Sequence, residues 1–301
     1  MKKILSFVLC TVICMSASAQ TTLDGDMNHD GVLDISDVGL LIDKILNPVI
    51  DNHKYVEIGG IKWSTMNLGA TTVAGDPSTC YGDYYAWGEV KPYATDVPRT
   101  AVSVTSITSW STDTIWGGTT GTKNGYNWKN YSGDAIAPIY AEWPTPPYDE
   151  INEVLTSNYD AVTQKWGDNW RTPTKEDYDT LVKACTGSTS SQPLSYLSTD
   201  SPTGGIYLIS ASQTYLSEYT GIAGILFVDM EDTSKRVFFP SAGYCYDSNF
   251  YSGGTTGFYW TSSRYSSIDY AHTMHYNSED GVNSNFYRPR YIGFPIRPIS
   301  K

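Results

Sequence analysis

Residues Asp26-Met27-Asn28-His29-Asp30-Gly31-Val32-Leu33-Asp34-Ile35-Ser36-Asp37 place side-chain oxygens at positions 1, 3, 5, 9 and 12 of a twelve-residue run. Gly31 stands at position 6, where such a loop must turn sharply, and Val32 can offer its backbone carbonyl at position 7. The chemistry is that of a hard cation. Ca2+ takes six to eight oxygen ligands and needs neither nitrogen nor sulfur. The D-x-N-x-D-G grammar selects it over an acidic turn that merely caps a helix. The expected ligands are Asp26, Asn28, Asp30, Val32, Asp34 and Asp37. Position 12 is the short Asp37, where calcium sensors carry a bidentate Glu, so the spacing suits a structural site better than a switch.

The elements that position this loop lie just after it. Val38, Leu41, Ile42, Ile45 and Leu46 recur at helical spacing and predict a helix with one apolar stripe. One loop and one helix cannot bury that stripe alone. It must meet its own chain, another copy or a partner. Before the loop, Met1-Lys2-Lys3, an apolar run from Ile4 to Met15 and the small residues Ser16-Ala17-Ser18-Ala19 follow the order of a secretory signal, with Gln20 as the first mature residue. The apolar run is shorter than the ~20 residues of a membrane helix. Cys14 follows Ile13 rather than a small residue, which speaks against a lipid anchor. The expected protein is exported to the periplasm, the cell surface or the medium, with no transmembrane segment after cleavage.

Composition agrees with export. The formal net charge is −12 and falls to −14 once Lys2 and Lys3 are removed. An acidic surface repels nucleic acid and suits cations and neutral ligands. Cys10 and Cys14 leave with the leader. Cys80, Cys185 and Cys245 remain, an odd set that makes no disulfide framework and leaves open which pair, if any, is oxidised.

The mature chain then reads as two parts: residues 20–50, small and Asp-rich, and residues 54–299, rich in Gly, Ser, Thr and Tyr. Tyr55 to Ser64, with Gly59-Gly60 at its centre, is a hairpin signal. Helices are expected at Asp149–Leu155, at Tyr159–Lys165, and after Pro173, where Thr174 is the N-cap, Asp177 holds the capping-box position, and Tyr178, Leu181 and Val182 form an apolar face. Strands are expected at Ile206–Ser210, Gly224–Met230, Arg236–Phe239, Phe258–Ser262, Ala271–Tyr276 and Tyr291–Pro298. Residues 91–147, with Trp110, Trp116, Trp128 and Trp143, read as a long loop. Helices followed by many short strands predict an α+β class.

Catalytic grammar is absent from the sequence. His272-Thr-Met-His275 invites a metal reading, but i and i+3 residues of a strand point to opposite faces. No G-x-S-x-G elbow occurs. Acidic residues are plentiful, and nothing singles out a glycosidase pair among them; Glu89 and Asp177 both have structural explanations. The motif tryptophans Trp63, Trp87, Trp166, Trp170 and Trp260 read as core or, alternatively, as a platform for sugar rings. The polar, turn-rich run from Tyr244 to Tyr259 is the better platform, with Tyr244, Asp247, Asn249 and Tyr251 as ligand contacts.

Two resemblances add to this reading. Gly25-Asp-x-Asn-x-Asp-Gly-x-x-x-Ile-x-Asp and the following Leu-Leu-Ile-Asp-Lys-Ile-Leu resemble half of a type I dockerin, over residues 24–47. The second loop of a dockerin has no counterpart here. The resemblance implies calcium and a cohesin-like or other surface protein as partner. Ile61-Lys-Trp63-Ser-Thr-Met-Asn67-Leu-Gly69, Tyr81-Gly-Asp-Tyr-Tyr-Ala-Trp87-Gly-Glu89, Trp166-Gly-Asp-Asn-Trp170-Arg171-Thr-Pro173, Phe239-Pro-Ser-Ala-Gly-Tyr244, Gly257-Phe-Tyr-Trp260 and Ile296-Arg297-Pro298 are together similar to the Fibrobacter succinogenes major paralogous domain of exported bacterial proteins. That family implies a C-type-lectin-like domain of many short strands with two or three helices. It carries no established reaction. Arg171 is then expected to bridge Glu89 or Glu176, and Arg297 a carboxylate near the C-terminus.

The sequence therefore points to an exported, non-catalytic binding protein for glycan or protein, tied to polysaccharide use or the cell surface. The alternatives are an O-glycosyl hydrolase carrying a dockerin and a surface assembly protein. Calorimetry on the mature chain should record one calcium site, lost in the Asp26→Ala/Asp30→Ala double variant.

Overall fold

The computed structural model describes residues 32, 34–38, 49–90, 92, 148–149, 151–189, 193–246, 249–267, 270–290 and 292–301. The signal segment, Asp26, Asn28, Asp30, Asp247, the apolar stripe beyond Val38 and Trp110 to Trp143 lie outside them. The chain divides into two units, Met1–Val49 and Ile50–Lys301. In the first unit, residues 35–38 are helical.

The second unit is built of several small sheets. The first has the order β1-β2-β3-β14-β4, from Val49–Ile50, His53–Ile58, Ile61–Ser64, Ile299–Ser300 and Trp170–Arg171. The second has the order β5-β6-β7-β8, from Ser195–Tyr196, Gly205–Ile209, Gly224–Val228 and Arg236–Pro240. A two-stranded hairpin pairs β9, Tyr244–Tyr246, with β10, Asn249–Tyr251. The last sheet has the order β11-β12-β13, from Gly257–Arg264, Tyr270–Asn277 and Gly281–Pro289. Helices among the described residues of this unit are short: α1 at Pro77–Cys80, α2 at Ala161–Trp166 and α3 at Lys175–Thr186. None is long and apolar enough to cross a membrane.

This corrects the α+β class and the C-type-lectin-like arrangement expected with it: the described chain is mainly β-sheet, in several small sheets with few helices. The expected helix at Asp149–Leu155 does not form. Asp149 Oδ1 accepts the N–H groups of Ile151 and Asn152, and Glu153 sits at φ 57°, so an Asx turn with a left-handed residue replaces the first helical turn. Val154 and Leu155 form isolated bridges instead.

Where local chemistry is strong, the structure follows it. Ile58 pairs with Ile61 across Gly59 and Gly60, whose φ angles of 62° and 75° are those of a two-residue hairpin turn that only glycine adopts without strain. Asp76 caps α1, with Pro77 in its first turn. Thr174 and Asp177 make a reciprocal capping box on α3, and Gly187 at φ 75° closes its C-terminus. Asp177 also holds Arg171 in a two-point ion pair, at 2.6 and 3.1 Å. Arg171 thus takes Asp177 rather than Glu89 or Glu176.

The face of α3 carrying Tyr178, Leu181, Val182 and Cys185 packs into a core with Trp63, Phe239, Tyr259 and Tyr276. A second cluster joins Tyr81, Leu226, Phe238 and Phe250. A third joins Trp87, Trp170, Trp260 and Phe294. Trp63, Trp87, Trp170 and Trp260 are all buried, which settles these four motif tryptophans as core. Trp166 differs, half-buried and stacked on His53 at 3.5 Å.

The segment expected as a strand at Tyr291–Pro298 is not a continuous strand: of its described residues, Gly293 and Phe294 make isolated bridges to Cys245 and Tyr85. Pro295 and Pro298 lack N–H groups and cannot sustain a ladder. Their carbonyls and that of Ile296 accept from Trp260, Ser64 and Leu68 respectively. Arg297, fully buried, donates to the carbonyls of Ser64 at 3.0 Å and Phe238 at 2.8 Å, with its guanidinium 4.4 Å from the Phe239 ring centroid. It bridges backbone carbonyls, not the carboxylate expected from the sequence.

Removing the capping hydroxyl with Thr174→Ala should cost about 1 kcal/mol. Asp177→Ala should cost more, since it deletes the reciprocal cap and the Arg171 pair together. Urea midpoints of the two variants test that order.

Candidate ligand-binding surface

In the first unit, Asp34 Oδ1 accepts the Ser36 N–H at 2.7 Å, and Asp37 Oδ2 accepts the Asp34 N–H at 2.9 Å. This reciprocal cap starts the helix at residue 35 and fixes the last two expected ligands relative to one another. Asp37 is buried and Asp34 exposed. Val32 is 55% exposed and Ile35 79%. Asp26, Asn28 and Asp30 fall outside the described residues. Among those residues no group of three His, Cys, Asp or Glu side chains could hold a metal.

On the larger unit, the expected platform is assembled by the β9–β10 hairpin. Tyr244 and Tyr251 are cross-strand partners, and their rings stack at 5.2 Å and 20°. Tyr251 is 36% exposed and Tyr244 is half-buried. Asn249 pairs with Tyr246 in the ladder, so its backbone is spent on the hairpin. Asp247 lies outside the described residues.

The hairpin does not stand alone. Tyr244 meets Phe258 edge-on at 5.4 Å, and Phe258 stacks on Phe294 at 4.9 Å and 8°. His275 lies 4.5 Å from Phe258 and stacks on Phe286 at 4.8 Å. The Arg288 guanidinium covers Phe286 at 4.2 Å. A continuous aromatic layer thus backs the tyrosine pair and holds its rings in place. Phe258, Phe286, Phe294, His275 and Arg288 are the supporting residues that the sequence reading missed. β11 is buried almost throughout and gives no alternation that would mark Phe258, and the strand β13 itself was not recognised.

The arrangement offers ring faces and hydroxyl groups, not an acid–base pair. His272 and His275 project to opposite faces of β12: His275 touches Phe258 and Phe286, whereas His272 touches Tyr265. Ser284 and Asp179 make a hydrogen bond of 2.5 Å, with His272 in the electrostatic neighbourhood of Asp179. This is no nucleophile triad, because the serine donates straight to the carboxylate and the imidazole does not intervene. The buried carboxylate of Asp160 lines a cavity of about 160 Å³ with Ser157, Thr163, Arg171 and Lys301. It accepts from the Val162 and Thr172 N–H groups and from the Thr163 and Thr172 hydroxyls, and so serves as the cap of α2. Cys80, Cys185 and Cys245 are buried and form no disulfide with one another, and burial pushes the Cys185 thiol far up, with Asp229 adding to it. Inert structural thiols behave this way.

Comparison of the chain with protein-family models, with curated proteins and with solved structures found no match to any of them.

His275 generates a pH prediction. Burial first, and the Arg288 cation second, pull its imidazole down to about 4 from 6.5. The unfolded chain therefore takes up this proton before the folded one does. The stabilising contribution is complete above pH ~6.5 and falls by about 1.4 kcal/mol per unit as pH drops toward ~4, near 3 kcal/mol in all. His275→Phe should flatten the dependence of the urea midpoint between those limits, leaving the smaller slopes of His53 and His272, which burial shifts the same way.

Proposed function

We propose that this chain is an exported, non-catalytic carbohydrate-binding protein with one structural calcium site. The observation that carries the reading is the cross-strand Tyr244–Tyr251 stack, held on an aromatic layer with Tyr251 open to solvent. Aromatic faces receive the C–H face of a pyranose, and tyrosine hydroxyls at the rim bind sugar hydroxyls. A ring pair fixed before binding loses little conformational entropy when the ligand arrives. The acidic balance of the chain fits a neutral ligand and disfavours nucleic acid.

In this reading residues 24–47 are a dockerin-like calcium unit. The reciprocal Asp34–Asp37 cap supports it, and the exposed Val32 and Ile35 support docking of a surface protein, cohesin-like or otherwise. The order of the Trp-Gly-Glu, Trp-Arg-Thr-Pro and Ile-Arg-Pro motifs supports membership of the Fibrobacter succinogenes major paralogous group for residues 54–299. The leader supports a place in the periplasm, at the cell surface or outside the cell, in polysaccharide use.

Glycan-array binding of the exported full chain tests the reading. Binding should be seen with calcium present and weaken about tenfold in Tyr251→Ala, the loss of one stacking ring. A folded chain that binds no glycan, with calcium or with a chelator, sinks it.

A further inference from the structure

The β11-β12-β13 sheet carries a second set of tyrosines, Tyr287 exposed and Tyr265 and Tyr270 half-buried, that the proposed platform does not use. Tyr265, just past the end of β11, stacks on Tyr287 of β13 at 4.1 Å and 14°. Tyr270 meets Tyr287 edge-on at 5.7 Å, and His272 meets Tyr265 edge-on at 5.2 Å. Tyr287 remains 43% exposed although Tyr265 covers one of its faces. His272 is its cross-strand neighbour. The set is therefore built on paired strands rather than on a loose loop.

The groups beside it are polar and include a small ion-pair cluster. Lys175 pairs with Asp179 at 2.8 Å and with Glu176 at 3.6 Å, and Asp179 also accepts from Ser284. One lysine against two carboxylates leaves a net negative charge, which disfavours an anion and offers oxygens that accept from hydroxyl groups. His272 stays neutral at neutral pH, since burial first and Lys175 second hold it below the usual imidazole value. Its Nδ1 is buried and finds no hydrogen-bond partner. A free ring surface, tyrosine hydroxyls, a neutral imidazole and a carboxylate-bearing edge form a surface for an uncharged, hydroxyl-rich ring.

We propose that Tyr265, Tyr270 and Tyr287, with His272 at their edge, form a second carbohydrate-binding platform separate from the Tyr244–Tyr251 hairpin. Tyr244 contacts Phe258, at the start of β11, whereas Tyr265 follows its last residue, Arg264. Phe258 faces His275 and Arg264 faces Ala271, so the two contacts are roughly 13 Å apart along the sheet. They also lie on opposite faces of the sheet. Phe258, His275 and Phe286 share one face, and His272 and Tyr287 share the other. No single sugar spans both, so one molecule can hold two chains of a polysaccharide or two branches of one. The inference extends the carbohydrate reading given above to a site of its own.

Calorimetric titration of the exported full chain with cellohexaose, xylohexaose and maltohexaose, each alone, counts the sites. The expected result is two sites per chain for one of these probes, one of them lost in Tyr287→Ala and the other in Tyr251→Ala. Tyr287→Phe should keep the site with weaker affinity, because the ring remains and only the hydroxyl is gone. Unchanged circular dichroism and urea midpoints in the variants establish that the fold persists. A single site that survives Tyr287→Ala and disappears in Tyr251→Ala overturns the second platform and leaves the proposed function standing. A single site with the opposite pattern supports the second platform and removes the hairpin from the function. No binding of any probe by the parent chain overturns both.

Discussion

A buried guanidinium organises the larger unit. Arg297 has no exposed surface, and no carboxylate pairs with it among the described residues. Burying a charge without a counter-ion is costly unless oriented dipoles replace water. Here the carbonyls of Ser64 and Phe238 do so, together with the face of Phe239. Ser64 ends β3 and Phe238 lies in β8, so the requirement of one cation fixes two sheets against each other. The nearby phenols follow the same logic. Past the middle of β8 the chain meets Pro240, and its carbonyls are collected by side chains: Tyr276 donates to Phe239 at 2.7 Å, Tyr259 to Pro240 at 2.6 Å and Tyr84 to Ala242 at 2.6 Å. Strands too short to satisfy one another by ladders are joined by Arg and Tyr donors instead.

That constraint explains why so tyrosine-rich a chain makes a stable protein from small sheets. Each buried Tyr supplies a large apolar ring and one donor, which can close a gap between sheets that backbone pairing leaves open. On the surface the same residue type presents its ring to solvent. Tyr251 and Tyr287 lie in paired strands and expose their rings to solvent. Core and surface thus use one chemistry for two purposes, and burial alone separates the tyrosines that build from those open to a ligand.

Sequence and structure agree most closely where neighbouring residues decide the outcome. The Gly59-Gly60 turn and the Thr174-Asp177 box are legible because every participant lies within four positions of the others. Five of the six expected strands occur, with ends shifted by one or two residues, since alternation marks a strand but not its last hydrogen bond. Residues 149–155 were not legible as a turn, because the apolar spacing of Ile151 and Leu155 imitates a helix while Asp149 captures the very N–H groups a helix would need. The course of residues 292–298 depends on acceptor demand from Ser64, Leu68 and Trp260, which are distant in sequence. The α+β expectation rested on local helical spacing, whereas further strands form, β9, β10 and β13 among them, that the sequence reading did not place.

The surface was legible in part for an instructive reason. Tyr244 and Tyr251 stand out in sequence as aromatics in a turn-rich run, and the hairpin that joins them is local. Tyr265 and Tyr287 are 22 positions apart and belong to different strands, so only the pairing of β12 with β13 and the return of the chain after Arg264 bring them to 4.1 Å. The register carries the consequence further. Between Thr273–Phe286 and His275–Asn283, β13 advances three residues while β12 advances two. The extra residue leaves Ser284 beside Asp179 of α3 while Tyr287 still faces outward next to His272. A bulge of this kind re-aims side chains without breaking the sheet. Without it, the alternation that buries Val282 would carry different residues toward α3 and away from it, and the polar edge beside the tyrosine stack would not exist.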